Sequence, residues 1–337
     1  MSPRPRRANR LPSLPSLLAR KLYKTGQTRG ADDDVIYQNR VGRNSTVLIP
    51  YAFWDVCTAG HGGAAFERGF IALLSPSEYF GTAGITDDLA ARGLAIGRNA
   101  LVFYERRPDW VAHHPDTLGW TAATSRTDPL GGQYVARIPA TTATTEGENI
   151  IRGFNATAMK GAGIRAYEYA GARTIKDCRD QLEALFWLCG DAEDVAASNG
   201  MSAEGVRARK EAILVSCDER GLLDKAKLIA ARILNAQGRT ICPFCLEELS
   251  STSFFNRLKQ AEGRLVPDLT VTEVNMFHIE ELRITALNHQ PYNLGWGHHH
   301  CNVVVKDSGI QKTLEWIREV LRRNVEAGHL PAENRVS

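Results

Sequence analysis

The strongest constraint in this chain is a pair of matched short hooks set far apart. Cys242-Pro243-Phe244-Cys245 places two cysteines two residues apart, and His298-His299-His300-Cys301 repeats that gap with a histidine and a cysteine. Each short loop can aim two ligands at one ion, and four thiolate and imidazole ligands suit a closed, tetrahedral, structural zinc site. The expected zinc ligands are therefore Cys242, Cys245, His298 and Cys301. His298 is preferred over His299 and His300 because its gap to Cys301 equals the gap between Cys242 and Cys245. The bland alternative is a pair of buried free cysteines beside a solvated histidine run; a matching second hook makes it the weaker reading. Pro243, Gly295 and Gly297 are expected to serve tight turns around the hooks.

Between the hooks lie Phe277-His278-Ile279-Glu280-Glu281-Leu282, then Asn293, fifteen residues after His278, and Asn302, nine residues further on. Histidine has the unperturbed pKa a general base needs near neutral pH. An asparagine carbonyl is a hard ligand suited to magnesium or manganese. Glu280 is expected on the same strand face as His278 by period-two alternation; Glu281 and Asp307 are also near in sequence.

In this order the residues resemble the HNH family of ββα-metal nucleases over about residues 241–310. The matching positions are His278-Ile279 at the end of a first strand, Asn293-Leu294 before the second hook, and Cys301-Asn302 at the start of a helix. The resemblance implies His278 as general base, Asn293 as the residue bracing the hairpin, and Asn302 as a ligand of a catalytic divalent metal, Mg2+ or Mn2+. One departure stands out. The family places an acidic residue or histidine just before the base, and here that position is Phe277, which cannot ligate. Glu280 is the favoured replacement ligand. His298 or His299 would touch DNA if not held on zinc.

The remainder of the chain has to house more than this module. At 337 residues it is long enough for two domains and an arm. No run of apolar residues is long enough to span a bilayer, so no membrane partner is expected. The net charge of +3 does not by itself select nucleic acid. Of seven cysteines, Cys57, Cys178, Cys189 and Cys217 sit in apolar or helical surroundings and read as reduced core thiols, which points to a reducing cytoplasm.

Residues 1–30 carry Arg4, Arg6, Arg7, Arg10, Arg20, Lys21, Lys24 and Arg29 without a single acid, either a phosphate-binding footprint or a solubilising tail. Pro3, Pro5, Pro12 and Pro15 argue against a helix over most of it, so a mobile basic arm is expected. Gly26–Asn44 is rich in Gln, Arg and Asn, the side chains that pair with guanine and adenine edges in the major groove. Arg29, Gln38, Asn39, Arg40, Arg43 and Asn44 are the candidates for DNA contact, and Asp32–Asp34 reads as a turn.

Apolar runs at Thr46–Trp54, Gly69–Leu74 and Leu101–Tyr104 predict strands, and Asp87–Arg92 a short helix. Residues 113–173 predict loops and short strands. Helices are expected over Thr174–Leu188, with Thr174 as N-cap, over Ser202–Glu219, capped by Ser202, over Leu222–Ala236 and over Thr313–Glu326. The expected fold class is α+β, mixed α/β. Its parts are a basic arm (1–30), an α/β DNA-recognition region (31–173), a helical connector (174–238), a zinc-bound ββα-metal module (239–310) and a C-terminal helix and tail (311–337). No lysine has an acid two positions before it, which excludes the standard PD-(D/E)xK core.

Two segments, YKTGQTRGADDDVIYQNRVGRNSTVLIP and FHIEELRITALNHQPYNLGWGHHHCN, also resemble type II restriction endonucleases of the BstXI-like group. That resemblance implies site-specific hydrolysis of double-stranded DNA, and a homodimer cutting an interrupted palindrome with one active site per strand. The alternatives left open are another HNH defence or homing nuclease or nickase, and a zinc-ribbon DNA-binding protein without catalysis.

Overall fold

The computed structural model describes residues 11–28, 36–37, 41–59, 66–138, 150, 152–154, 161–258, 271–306 and 308–331. The fold is mixed α+β, with a parallel sheet and a small antiparallel sheet. It divides into two compact units, each built from discontinuous chain: Gly26–Ile175 with Leu282–His289, and Met1–Thr25 with Lys176–Glu281 and Gln290–Ser337.

The first unit is organised on a five-stranded parallel sheet. Besides a small antiparallel pair, β1 (Gln27–Thr28) and β2 (Val41–Gly42), it contains β3 (Val47–Pro50), β4 (Phe70–Leu74), β5 (Ala100–Tyr104), β6 (Tyr134–Ala136) and β7 (Ile164–Arg165), in the spatial order β6-β5-β4-β3-β7. Val47–Ile49, Ile71–Leu74 and Ala100–Tyr104 are buried throughout. Unbroken apolar runs of this kind are what a parallel sheet covered on both faces requires. The connections carry α2 (Trp54–Ala59), α3 (Pro76–Gly81), α4 (Ile85–Ala91) and α5 (Arg107–Ala112). Ser75 starts α3 with a capping box, its Oγ accepting from the Glu78 N–H while the Glu78 carboxylate accepts from the Ser75 N–H. The expected strand over Thr46–Trp54 ends early, at Pro50, where a 3-10 turn (Tyr51–Phe53) leads into α2. Proline has no N–H to continue a ladder. Ile284 and Leu287, from the short returning segment, pack into the core formed by Val47, Trp54 and Leu89, and the Cys57 thiol donates to the Ile284 carbonyl at 3.6 Å.

The second unit is largely helical. It contains α1 (Ser16–Lys24), most of α6 (Ala172–Trp187), α7 (Ala192–Ser198), α8 (Ala203–Glu219), α9 (Lys225–Ala230), the antiparallel strands β8 (Val274–His278) and β9 (Leu294–His298), then α10 (His299–Val305) and α11 (Ile310–Glu326). Leu182, Phe186, Phe254, Phe277 and Trp296 form the centre of its core. The Trp296 indole N–H donates to the Leu182 carbonyl at 2.8 Å, tying β9 to α6. Ser202 caps α8 as expected, its Oγ accepting from the Gly205 N–H.

The part of the basic segment that is described is no free arm. Leu18, Lys21 and Leu22 on α1 are buried in this unit, because an apolar stripe at four-residue spacing outweighs the surrounding charge. α6 begins at Ala172, so Thr174 lies inside its first turn rather than capping it. The helix expected over Leu222–Ala236 spans only Lys225–Ala230. Arg232 takes a φ of 60°, and the chain reverses so that Leu234 pairs with Thr240. Among the described residues, no helix is long and apolar enough to cross a membrane.

Candidate functional site

The two hooks meet. One ligand atom from each of Cys242, Cys245, His298 and Cys301 lies within 4.8 Å of all the others, and Cys245 Sγ is 3.3 Å from His298 Nδ1. A tetrahedral zinc with bonds of about 2.0–2.3 Å needs ligand separations of roughly 3.5–4 Å, so the set fits that ion with little adjustment. The histidine that joins the cluster is His298; its ring stacks on His300 at 5.3 Å. Burial drives the His298 ring toward its neutral form, helped by His300, and neutral imidazole is the form that binds metal. Burial likewise pushes the Cys245 and Cys301 thiols up, and the crowded sulfurs add to it. A bound divalent cation would reverse that, since thiolate is the ligating species.

The first hook is held from outside. Leu246, with a φ of 65°, returns its N–H to the Cys242 carbonyl at 2.9 Å. Arg232 Nε donates to the Pro243 carbonyl at 2.7 Å. Nothing in the residues around Arg232 marks it in advance as a support for the hook. Gly295 and Gly297 do not form turns; both lie within β9, where their missing side chains make room for packing. A Cβ on Gly297 would stand 2.7 Å from the Phe277 ring, and one on Gly295 would lie 3.4 Å from Ile233.

From the hooks, the chain forms a ββα arrangement. β8 and β9 pair antiparallel from Val274 opposite His298 to His278 opposite Leu294, and α10 follows directly. His278 is half-buried at the end of β8. Asn293 is buried and grips Glu280, two residues past His278, from both sides: its Oδ1 accepts from the Glu280 N–H at 2.6 Å, and its Nδ2 donates to the Glu280 carbonyl at 3.2 Å. Asn302 sits one turn into α10 rather than opening it, and its Nδ2 donates to the Met276 carbonyl at 3.3 Å. Phe277 is buried in the core. Glu280 is exposed and lies past the end of β8, so strand alternation does not fix its direction relative to His278. Glu281 is also exposed, and Asp307 lies outside the described residues.

Of the residues put forward for DNA contact, Arg29, Gln38, Asn39 and Arg40 lie outside the described residues. Arg43 is buried, with its guanidinium donating to the Glu168 carbonyl at 3.0 Å. Asn44 Nδ2 donates to Glu67 at 3.2 Å.

A family model described as BstXI restriction endonuclease matches residues 20–299. The chain belongs to the BstXI restriction endonuclease family. As a member it is a type II restriction endonuclease, a site-specific DNA nuclease that binds DNA. The match to the BstXI family spans most of both units and takes in Cys242, Cys245, His278, Asn293 and His298, while Cys301 and Asn302 follow its end. No curated protein and no solved structure matches this BstXI-family chain.

Proposed function

We propose that this BstXI-family endonuclease hydrolyses DNA at the β8–β9–α10 hairpin, with His278 as general base. The observation that carries this reading is the two-sided clasp of Asn293 on Glu280, two residues after His278, in a ββα unit rooted on a Cys3His cluster. His278 takes a proton from the water that attacks the scissile phosphorus, the role of a general base. Asn293 fixes the main chain just past His278 and so fixes where the ring can point. Asn302 spends its amide nitrogen on the Met276 carbonyl, which leaves its carbonyl oxygen as the hard acceptor for Mg2+ or Mn2+. Glu280 is the carboxylate nearest in sequence to complete that ligand set, since Phe277 is committed to the core. When bound, the cation would stabilise charge on the phosphate and the leaving 3′ oxygen. Zinc on Cys242, Cys245, His298 and Cys301 would hold the fold and take no part in the reaction.

The protein would act in the bacterial cytoplasm as a homodimer, one hairpin per strand. Arg29, Gln38, Asn39, Arg40 and Asn44 are the proposed DNA contacts in the N-terminal region. The test is cleavage of plasmid and phage DNA with and without magnesium, beside His278→Ala. Discrete, magnesium-dependent fragments that vanish in the variant are expected. A variant that cuts at the wild-type rate would move the catalytic centre out of the hairpin.

A further inference from the structure

A chain of hydrogen bonds runs from α1 through β8 to α10. Lys21 is buried, and its Nζ donates to the Val274 carbonyl and, at 3.3 Å, to Asn275 Oδ1. Asn275 Nδ2 donates to the Thr272 carbonyl at 2.6 Å and meets His299 Nδ1 at 3.2 Å. Every direction in this chain is forced. An ammonium only donates and a main-chain carbonyl only accepts. Asn275 must therefore turn its oxygen to Lys21 and its amino group to Thr272, and that same amino group donates to His299. Nδ1 of His299 is thus an acceptor, and the neutral ring carries its proton on Nε2.

A ring fixed in that tautomer offers a single N–H donor and no lone pair on Nε2, so it is unsuited to binding a metal through that atom. The ring is half-buried, and no hydrogen bond to Nε2 is made among the described residues. The His299 main chain is also anchored, its N–H donating to the Glu273 carbonyl at 2.7 Å. His299 and Asn302 are three residues apart on α10, hence on one helix face, and both bond to β8. A fixed neutral donor beside the hydrolytic hairpin matches the way nucleases register a DNA backbone, through hydrogen bonds to phosphate oxygens.

We propose that His299 is a substrate-positioning residue whose Nε2–H donates to a non-bridging oxygen of a DNA backbone phosphate, with Asn275 and Lys21 holding its tautomer. This rests on the hairpin being the hydrolytic site.

The test uses the full-length protein and a duplex containing its mapped site. His299→Ala should weaken binding about tenfold, the scale of one hydrogen bond to a charged group, with zinc content and thermal midpoint unchanged. His299→Gln, which also presents an N–H donor, should recover part of the loss. A methylphosphonate scan should find one phosphate whose neutralisation weakens the wild type but leaves His299→Ala unaffected. Because the donor is neutral, the slope of log affinity against log salt should be the same for both proteins. A slope shallower by about 0.9 in the variant would mean that His299 binds as a cation, and would overturn the assignment. Wild-type affinity in His299→Ala, with His278→Ala inactive, overturns the inference and leaves the hairpin reading standing. Normal cutting by His278→Ala overturns the hairpin reading instead.

Discussion

Phe277 rests on the bare backbone of Gly297: a Cβ built there would lie 2.7 Å from ring atom Cδ2. The two residues sit on neighbouring strands of the hairpin, and the ring is buried with Trp296 and Leu294 in the core of the helical unit. This accounts for an aromatic residue where the HNH resemblance leads one to expect a metal ligand. The position has been given over to holding β8 against β9.

Gly297→Ala is therefore expected to destabilise the protein by about 1–3 kcal/mol, the usual cost of forcing extra volume into a packed core. Gly295→Ala should be milder, because its nearest neighbours stand at 3.4 Å or more. Urea denaturation of the two variants checks the ranking. A Gly297→Ala protein as stable as the wild type would mean that the ring is not seated as described.

Purified protein should contain one zinc per chain by elemental analysis. Stripping it with a chelator should lower thermal stability and abolish cleavage, because two sequence-distant hooks lose their common anchor. Cys301→Ser should behave like the stripped protein. Zinc-free protein with an unchanged melting temperature would rule out the structural role.

Asn293→Ala removes both halves of the clasp on Glu280. A base displaced by an ångström can lose about a hundredfold in rate. We expect kcat to fall by about that factor with KM little changed and zinc retained. A matching rise in KM with kcat intact would instead make Asn293 a DNA-binding residue.

Asp191 provides a pH prediction. Burial pushes its carboxyl up, but hydrogen bonds from Ser250 Oγ at 2.6 Å and the Ser251 N–H at 2.7 Å outweigh this and hold its pKa below the ordinary value. A depressed folded-state pKa gives stability that is present above the unfolded value, about 3.9, and is lost as pH falls through the folded one. Asp191→Asn should be less stable than the wild type at pH 7, and the gap should close in acid below about pH 4. Stability curves across pH 2–7 test this. A gap that stays constant across that range would show that the carboxylate charge is irrelevant.

The two Cys/His hooks and the hairpin between them are legible in the sequence because metal-ligand chemistry fixes residue type and spacing together. The same pattern puts His278 at the end of a strand and Asn293 before the next, as β8 and β9 have them, whereas Asn302, expected to open the helix, lies one turn into α10. What could not be read was long-range. Nothing near Lys21 announces that it bonds to Val274, 253 residues away, and its basic neighbours suggested a solvated arm. Leu18 and Leu22 carried the correct signal, but four nearby prolines obscured it. The apolar pattern after Leu222 continues past Ala230 and so predicts too long a helix, whereas α9 ends there and Arg232, with a φ of 60°, turns the chain back. Gly295 and Gly297 read as turn residues because a glycine that clears space for a ring looks, in sequence, like one that bends the chain.

The backbone passes between the two units four times, at Thr25/Gly26, Ile175/Lys176, Glu281/Leu282 and His289/Gln290. The last two passages interrupt the hairpin itself, between His278 and Asn293. Neither unit can be cloned as one uninterrupted stretch, so no single cut divides the chain into two pieces that each keep a whole unit. Replacing Gly26–Ile175 with a foreign domain would leave Leu282–His289, a piece of the same unit, stranded inside the hairpin.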